Sequence, residues 1–464
     1  MDKIKDMKIR KICCIGAGYV GGPTMAVMAQ KCKDIKIEIV DLDKKKIALW
    51  NDKNLDNLPI FEPGLSEIIN ECRDKNLFFS TNIKESIETS QMIFIAVNTP
   101  TKTYGIGAGE ASDLKFIESC ARDISLYAKG NTIVVEKSTI PVKTADIINE
   151  ILNSSLSNQE FHVLSNPEFL SEGTAINDLL NPNRVLIGGN NQEAINALAD
   201  IYKKWIKEEC IIKTNVWSSE LSKLTSNAFL AQRISSINTI SAICEKTGAN
   251  INEVAKAVGM DTRIGKYFLK HGPGFGGSCF KKDILNLIYI SKFYGLNEVA
   301  EYWLQVLKVN DWQKQRISQI VFNKLLSNLK NKKIAILGFA FKSNTNDTRE
   351  SCAIDICNDL LSEGACLSIY DPKVSFENIS QELLIHNNQK NFLSNAKSLE
   401  MAVEGSDAAI ILTEWDEFKN IDWNKLSEIM RKPSWIFDCR DIISENSIDS
   451  DRISLWKCGY KPLS

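Results

Sequence analysis

Histidine is nearly missing from this chain: its 464 residues hold three, His162, His271 and His386. Histidine is the usual side chain for moving protons near neutral pH, so acid–base chemistry here falls mainly to lysine, cysteine and carboxylates. The 13 cysteines are odd in number and contain no C-x-x-C pair. That argues against a disulfide framework or a zinc site, so no metal is expected, and it favours a reducing cytoplasmic setting. No run of about 18 apolar residues is present. The charged start "MDKIKDMKIRK" leads directly into a strand-like segment rather than a signal-peptide core. Charge of one sign is lacking too, with 56 Lys and Arg against 58 Asp and Glu. No global field therefore draws the chain to nucleic acid or a membrane.

What is present is a long chain with a globular balance, 44% apolar and 25% charged. That length is too great for one core and predicts two to four domains. In "KICCIGAGYVGGPTMAVMAQ", the run Ile12 to Ile15 reads as a buried strand, and Gly16, Gly18 and Gly21 give G-x-G-x-x-G before a helix from about Pro23. A second strand, "IKIEIVD", ends in Asp41. Together these form a dinucleotide-binding fingerprint. The glycines bring the backbone close to a pyrophosphate at the helix N-terminus, and the aspartate takes the ribose hydroxyls. Asp41 favours NAD over NADP. The run Lys44-Lys45-Lys46 pulls the other way, unless it is the solvated first turn of a helix.

Later strands, "MIFIAV", "TIVVEKST" and "FHVLSNPEF", carry Thr99, Thr139 and Glu168 just beyond their ends. Ligands of parallel sheets sit along that rim. From Ser218 to about Thr247 an uninterrupted three- and four-residue apolar spacing predicts one long helix, stopped by Gly248. Lys223 and Asn227 fall one turn apart on it. A further helix begins near Ile251. The loop "GFGGSCFKKD" then puts Cys279 in the first turn of a helix starting near Ser278, where free amides favour a thiolate, with Asp283 one turn on.

From Lys332 the order of strand, glycine turn, helix, strand with aspartate, and later strands repeats. In this copy Gly338 is present, but Ala340 stands at the second glycine position. A nucleoside diphosphate is expected there rather than a dinucleotide, with Lys342 and Arg440 as its charge partners. The expected fold is α/β: two Rossmann-like, doubly wound parallel-sheet domains joined by a central helical domain with one long helix. The expected boundaries are 1–213, 214–327 and 328–464.

In order and number, "IGAGYVGGP", "VNTPTKTYG", "EKSTIPV", "SNPEFLSEGTA", "WSSELSKLTSNAFLAQRISSIN", "GFGGSCFKKD", "GFAFK" and "NDTRES" resemble the nucleotide-sugar dehydrogenase family along nearly the whole chain. The resemblance implies two successive NAD-dependent oxidations that turn UDP-glucose into UDP-glucuronate without releasing the aldehyde. Another nucleotide sugar, GDP-mannose or a UDP-N-acetylhexosamine, is the alternative. It also implies a homodimer or a hexamer of dimers.

By resemblance, Cys279 is the nucleophile that forms a thiohemiacetal and then a thioester, and Glu168 manages the hydrolytic water. Lys223 and Asn227 steady the oxyanion, while Thr139 and Asp283 hold a water for the alcohol proton. NAD contacts are implied for the fingerprint glycines with Tyr19, Val20, Asp41 and Lys46. They extend to Val97, Thr99, Thr101, Ser138, Thr139, Glu172 and Arg349. Substrate contacts are implied for Glu168, Phe169, Leu170, Glu172, Lys223 and Asn227, then Lys270, Phe275, Gly276, Phe341, Lys342 and Arg440. Arg263 resembles an arginine that reaches a neighbouring subunit's substrate. Cys439 stands where a glycine is common, and Lys281 and His271 are unusual beside their motifs; these departures could alter loop packing or the charge around Cys279.

Overall fold

The computed structural model describes residues 8–154, 159–384 and 392–461. Met1–Met7, most of the charged start, and His386 lie outside the described residues. The chain divides into two compact units, residues 1–226 with 285–295, and residues 227–284 with 296–464.

The first unit holds strands β1 (Lys11–Ile15), β2 (Lys36–Val40), β3 (Leu77–Ser80) and β4 (Met92–Ile95). They are followed by β5 (Thr132–Glu136), β6 (Phe161–Ser165), β7 (Val185–Gly189) and β8 (Ile211–Thr214). They form one sheet in the order β3-β2-β1-β4-β5-β6-β7-β8. The first six run parallel, as the apolar runs predict, whereas β6 and β7 pair antiparallel. The continuous apolar character of the strands has a direct cause. Ile12 and Cys14 pack into one buried cluster, and Cys13 and Ile15 into another. Successive side chains point to opposite faces, and both faces are covered by helices, so neither can be polar.

The second unit repeats this plan with β9 (Lys333–Leu337), β10 (Cys366–Tyr370), β11 (Leu393–Asn395), β12 (Ala408–Ile411), β13 (Ser434–Asp438) and β14 (Ile453–Lys457). Their order, β11-β10-β9-β12-β13-β14, is that of β3-β2-β1-β4-β5-β6 in the first sheet. The repeat read from the sequence is therefore a repeat of topology.

The long helix runs Val216–Thr247, two residues earlier than its serines suggest. Asn215 caps it, its side-chain oxygen accepting from Ser218 N at 2.8 Å. Gly248, at φ +83°, ends it in the left-handed conformation. The next helix spans Ile251–Gly259, and the helix after the cysteine loop spans Phe280–Phe293. Among the described residues no helix is long and apolar enough to cross a membrane.

Candidate functional site

The fingerprint turn joins β1 to the helix Gly21–Lys31. A Cβ on Gly16 would stand 2.4 Å from Ala96 O, and one on Gly21 would stand 2.0 Å from Gly16 O. Around Gly18 nothing lies within 4 Å. Two glycines are thus required by the protein itself, and the third leaves open backbone that a pyrophosphate can approach. Asp41, at the end of β2, accepts from Ala17 N, Asp43 N and Lys46 Nζ, each at 3.0 Å. Burial works to raise its pKa, but these donors prevail and hold it below the usual carboxylate range. The lysine run is the first turn of the helix Lys44–Trp50, and Lys46 is engaged with Asp41. These features fit NAD and leave Lys46 committed to the carboxylate.

In the second unit Asp371 occupies the place of Asp41, but its acceptors are taken internally. Its Oδ2 receives Phe339 N, Ala340 N and Trp415 Nε1, and its Oδ1 receives Lys373 N and Val374 N. That copy has no aspartate oxygen left for a ribose, which explains physically why its fingerprint can be broken.

Along the rim of the first sheet, Thr99 donates its hydroxyl to Thr139 O at 2.8 Å, and Ser138 donates to Val97 O at 2.6 Å. Thr101 bridges to Ser112. Glu168 follows β6 and takes Leu170 N on one oxygen. Its other oxygen lies 3.1 Å from Lys223 Nζ, and both side chains are only 5% exposed. A buried pair of this kind is costly to break: losing one partner strands a charge, at roughly 3–5 kcal/mol. Phe169 lies beneath two cations, Arg184 at 3.8 Å and Lys223 at 5.4 Å from its ring centre. Tyr19, Val20, Leu170 and Glu172 are half-buried in this unit.

Lys137 was not among the residues expected at the site. It is buried, and its ammonium donates to Asn166 Oδ1 at 3.1 Å and Tyr202 OH at 3.3 Å. Burial drives its pKa down to about 8, with Glu168 opposing and Lys223 assisting that fall. It lines a cleft with Asn166, Glu168, Phe169, Arg184 and Tyr202. Only its place between Glu136 and Ser138 could have drawn attention to it.

None of the thirteen cysteines is in a disulfide, and among the described residues only Cys210, Cys279 and Cys366 are not buried. Burial pushes the thiols of Cys13, Cys120 and Cys458 up to about 12. Cys279 does not lie within the first helical turn. It immediately precedes Phe280–Phe293, its carbonyl accepting from Asp283 N at 2.9 Å. It stands instead at the helix cap, with its thiol 3.5 Å from Ser278 Oγ. Asp283 is fully buried and accepts from Asn227 Nδ2 at 2.6 Å.

The departures near the motifs also resolve. Lys281 pairs with Glu350 at 2.8 Å. His271 is buried, and burial pushes its pKa down to about 4, so it is neutral and adds no charge. Cys439 is fully buried, with its thiol pushed well up by burial.

In the same unit, Glu414 reveals a cluster that the sequence reading named only in part. Burial would raise its pKa, yet Arg440, Lys270 and Lys342 hold it low. Lys342 and Arg440, expected as the charge partners of a diphosphate, and Lys270, implied as a substrate contact, thus all bear on one carboxylate. Arg440 Nε lies 3.0 Å from it, and the same guanidinium donates to Phe341 O at 3.2 Å. Phe275 is buried and exchanges two hydrogen bonds with the Asn310 amide, fixing the loop that carries Gly276. Arg349 folds back on Asp347, and Arg263 is exposed and paired with Asp261. Among the described residues no group of three His, Cys, Asp or Glu side chains could hold a metal.

The chain belongs to the UDP-glucose/GDP-mannose dehydrogenase family. It matches that family's NAD-binding domain over residues 10–206, its central domain over 217–312 and its UDP-binding domain over 335–445. It is an oxidoreductase with NAD as cofactor. Among particular relatives, it is 54% identical to UDP-glucose 6-dehydrogenase of Drosophila melanogaster, covering 97% of this chain and 96% of that one. It is 51% identical to UDP-glucose 6-dehydrogenase 1 of Glycine max, covering 98% and 97%. A solved UDP-glucose dehydrogenase from Pyrobaculum islandicum superposes with a TM-score of 0.85 at 26% identity, over 98% of this chain and 99% of that one.

Proposed function

We propose that this protein oxidises UDP-glucose to UDP-glucuronate in two NAD-dependent stages, with Cys279 holding the sugar between them. The observation that carries this reading is the setting of Cys279. It is one of three cysteines that are not buried, it stands at a helix cap, and the buried Asp283–Asn227 pair follows one turn later. The names of the relatives support UDP-glucose as the substrate, and the cations around Glu414 supply a diphosphate-binding charge.

Bound NAD supplies the hydride acceptor at each stage. In the first stage the primary alcohol loses its O–H proton to a water held by Thr139 and Asp283 and a hydride from its carbon, leaving the aldehyde. An aldehyde has no hydride to give readily until a nucleophile adds to it. The Cys279 thiolate therefore forms a C–S bond to the carbonyl carbon, and Lys223 and Asn227 steady the oxygen as it gains charge. Loss of the second hydride turns this thiohemiacetal into a thioester. Glu168 takes a proton from the attacking water, the C–S bond breaks, and the carboxylate leaves. The overall change consumes one water and two NAD per sugar.

The division at 1–213, 214–327 and 328–464 follows the same reading. So does a cytoplasmic homodimer, or a hexamer of dimers in which Arg263 reaches a neighbour's substrate. Exposed Trp217, Leu221, Phe229 and Ile243 along the long helix support a subunit contact there. The test supplies UDP-glucose and NAD and counts NADH per sugar consumed. Two are expected. A ratio of one with free aldehyde, or faster turnover of GDP-mannose or a UDP-N-acetylhexosamine, overturns the assignment.

A further inference from the structure

Two carboxyls in the first unit have no part in the chemistry above. Glu136 ends β5, is 1% exposed, and has both oxygens buried. No N–H or hydroxyl among the described residues donates to either oxygen. The group that lies against it is the carboxyl of Glu220, on the long helix one turn before Lys223. Glu220 is itself engaged: its oxygens accept from Lys143 N at 2.7 Å and Ala145 N at 2.9 Å. These amides close the 137–143 loop and open the helix Thr144–Leu152, with Lys143 in the left-handed region at φ +75°.

An ionised Glu136 would face a second carboxylate with no donor to satisfy it, and buried like charges at such range cannot both persist. A neutral Glu136 resolves this by donating its O–H to Glu220, which then accepts hydrogen bonds from both sides. Asp146 is the other charged group bearing on the pair, and it adds repulsion rather than relief. It accepts from Trp217 Nε1 at 3.2 Å, while the Lys143 ammonium lies over the Trp217 ring.

We propose that Glu136 is a positioning residue, a buried carboxylic acid whose O–H to Glu220 fixes the loop carrying Ser138 and Thr139 against the helix carrying Lys223. The electrostatics agree. Burial first, and then Glu220, push the Glu136 carboxyl well above its ordinary range, while Glu220 rises to about 7 through burial. Two such groups titrate as a pair. The consequence for catalysis rests on the roles given above to Thr139 and Lys223; the shared proton and the held loop do not.

The test joins three readouts on Glu136→Gln, Glu136→Ala and Glu220→Gln. Infrared spectra of wild type at neutral pH should show a protonated carboxyl stretch that Glu136→Gln removes. Hydrogen exchange at the Lys143 and Ala145 amides should quicken about tenfold in Glu136→Ala, the expectation for one lost buried hydrogen bond. Glu136→Gln should rescue that protection, because its amide donates as the acid does. Glu220→Gln should not, since an amide nitrogen replaces one acceptor.

Raising the pH should release the same amides in wild type earlier than in Glu136→Gln, as the pair ionises. The turnover number should follow this order, falling about tenfold in Glu136→Ala with rescue by Gln. Absence of the stretch, or equal behaviour of Gln and Ala at position 136, overturns the proposal. If Ala does not fold, the pH comparison of wild type with Gln still decides it. A wild type inactive on UDP-glucose would sink the functional reading alone, because infrared and exchange do not need turnover.

Discussion

Substituting Gly18 by alanine should separate binding from folding. Nothing in the protein lies within 4 Å of the added methyl, and Gly18 does not occupy the left-handed region. An alanine that fits without strain removes unfolded-state freedom and stabilises by roughly 0.4–1 kcal/mol. The methyl would instead stand where the backbone must meet a pyrophosphate. Losing one charge-assisted hydrogen bond there costs about 1.5–3 kcal/mol, or roughly 10- to 100-fold in NAD affinity. Gly21→Ala is the contrast. Its methyl would fall 2.0 Å from a backbone oxygen and 3.2 Å from Cys14 Sγ, so the turn must move. That strain should cost roughly 1–3 kcal/mol or more. Thermal melts without cofactor, together with NAD titration by calorimetry, measure both effects. Gly18→Ala should melt at or slightly above wild type and bind NAD at least tenfold more weakly. NAD affinity within twofold of wild type, or a melt as depressed as that of Gly21→Ala, would refute the reasoning.

Asp41→Ala should narrow the preference for NAD over NADP by at least about tenfold, because it removes a carboxylate that repels a ribose phosphate and frees Lys46; an unchanged ratio of kcat/KM values would count against it. Cys279→Ser should stall with sugar nucleotide attached, since an ester hydrolyses less readily than a thioester, and Glu168→Gln should accumulate the thioester instead; intact-protein mass spectrometry distinguishes the two, and wild-type rates in Cys279→Ser would return that residue to the structural cysteines. Lys137→Met should alter stability in a pH-dependent way. The folded pKa of Lys137 is depressed to about 8 from 10.5, so its burial penalty is full below about pH 8 and fades as pH rises toward 10.5. The variant's melting point relative to wild type should therefore fall across that window, and a difference independent of pH would contradict a buried, titrating lysine.

Most of the scaffold was legible because it is written in short-range spacing. Two-sided burial makes β1, β4 and β5 continuous apolar runs, the fingerprint fixes one turn, and an unbroken helical period stopped by Gly248 makes the long helix. Its start at Val216, after Asn215, came only from the structure. The repeat was visible for the same reason, down to an aspartate after the second strand of each copy. What the sequence by itself could not settle is which buried group meets which. The Glu168–Lys223 pair, the convergence of Lys270, Lys342 and Arg440 on Glu414, and the contact of Glu136 with Glu220 each join segments far apart in the chain. The depressed pKa of Lys137 and the neutrality of His271 arise from desolvation, which depends on everything packed around a side chain. Asp41 and Asp371 end equivalent strands, yet differ in how many donors the folded chain turns toward them. Residue type and spacing determined which groups could act; tertiary packing, by removing water and supplying partners, decided their charge and which of them were left free to act.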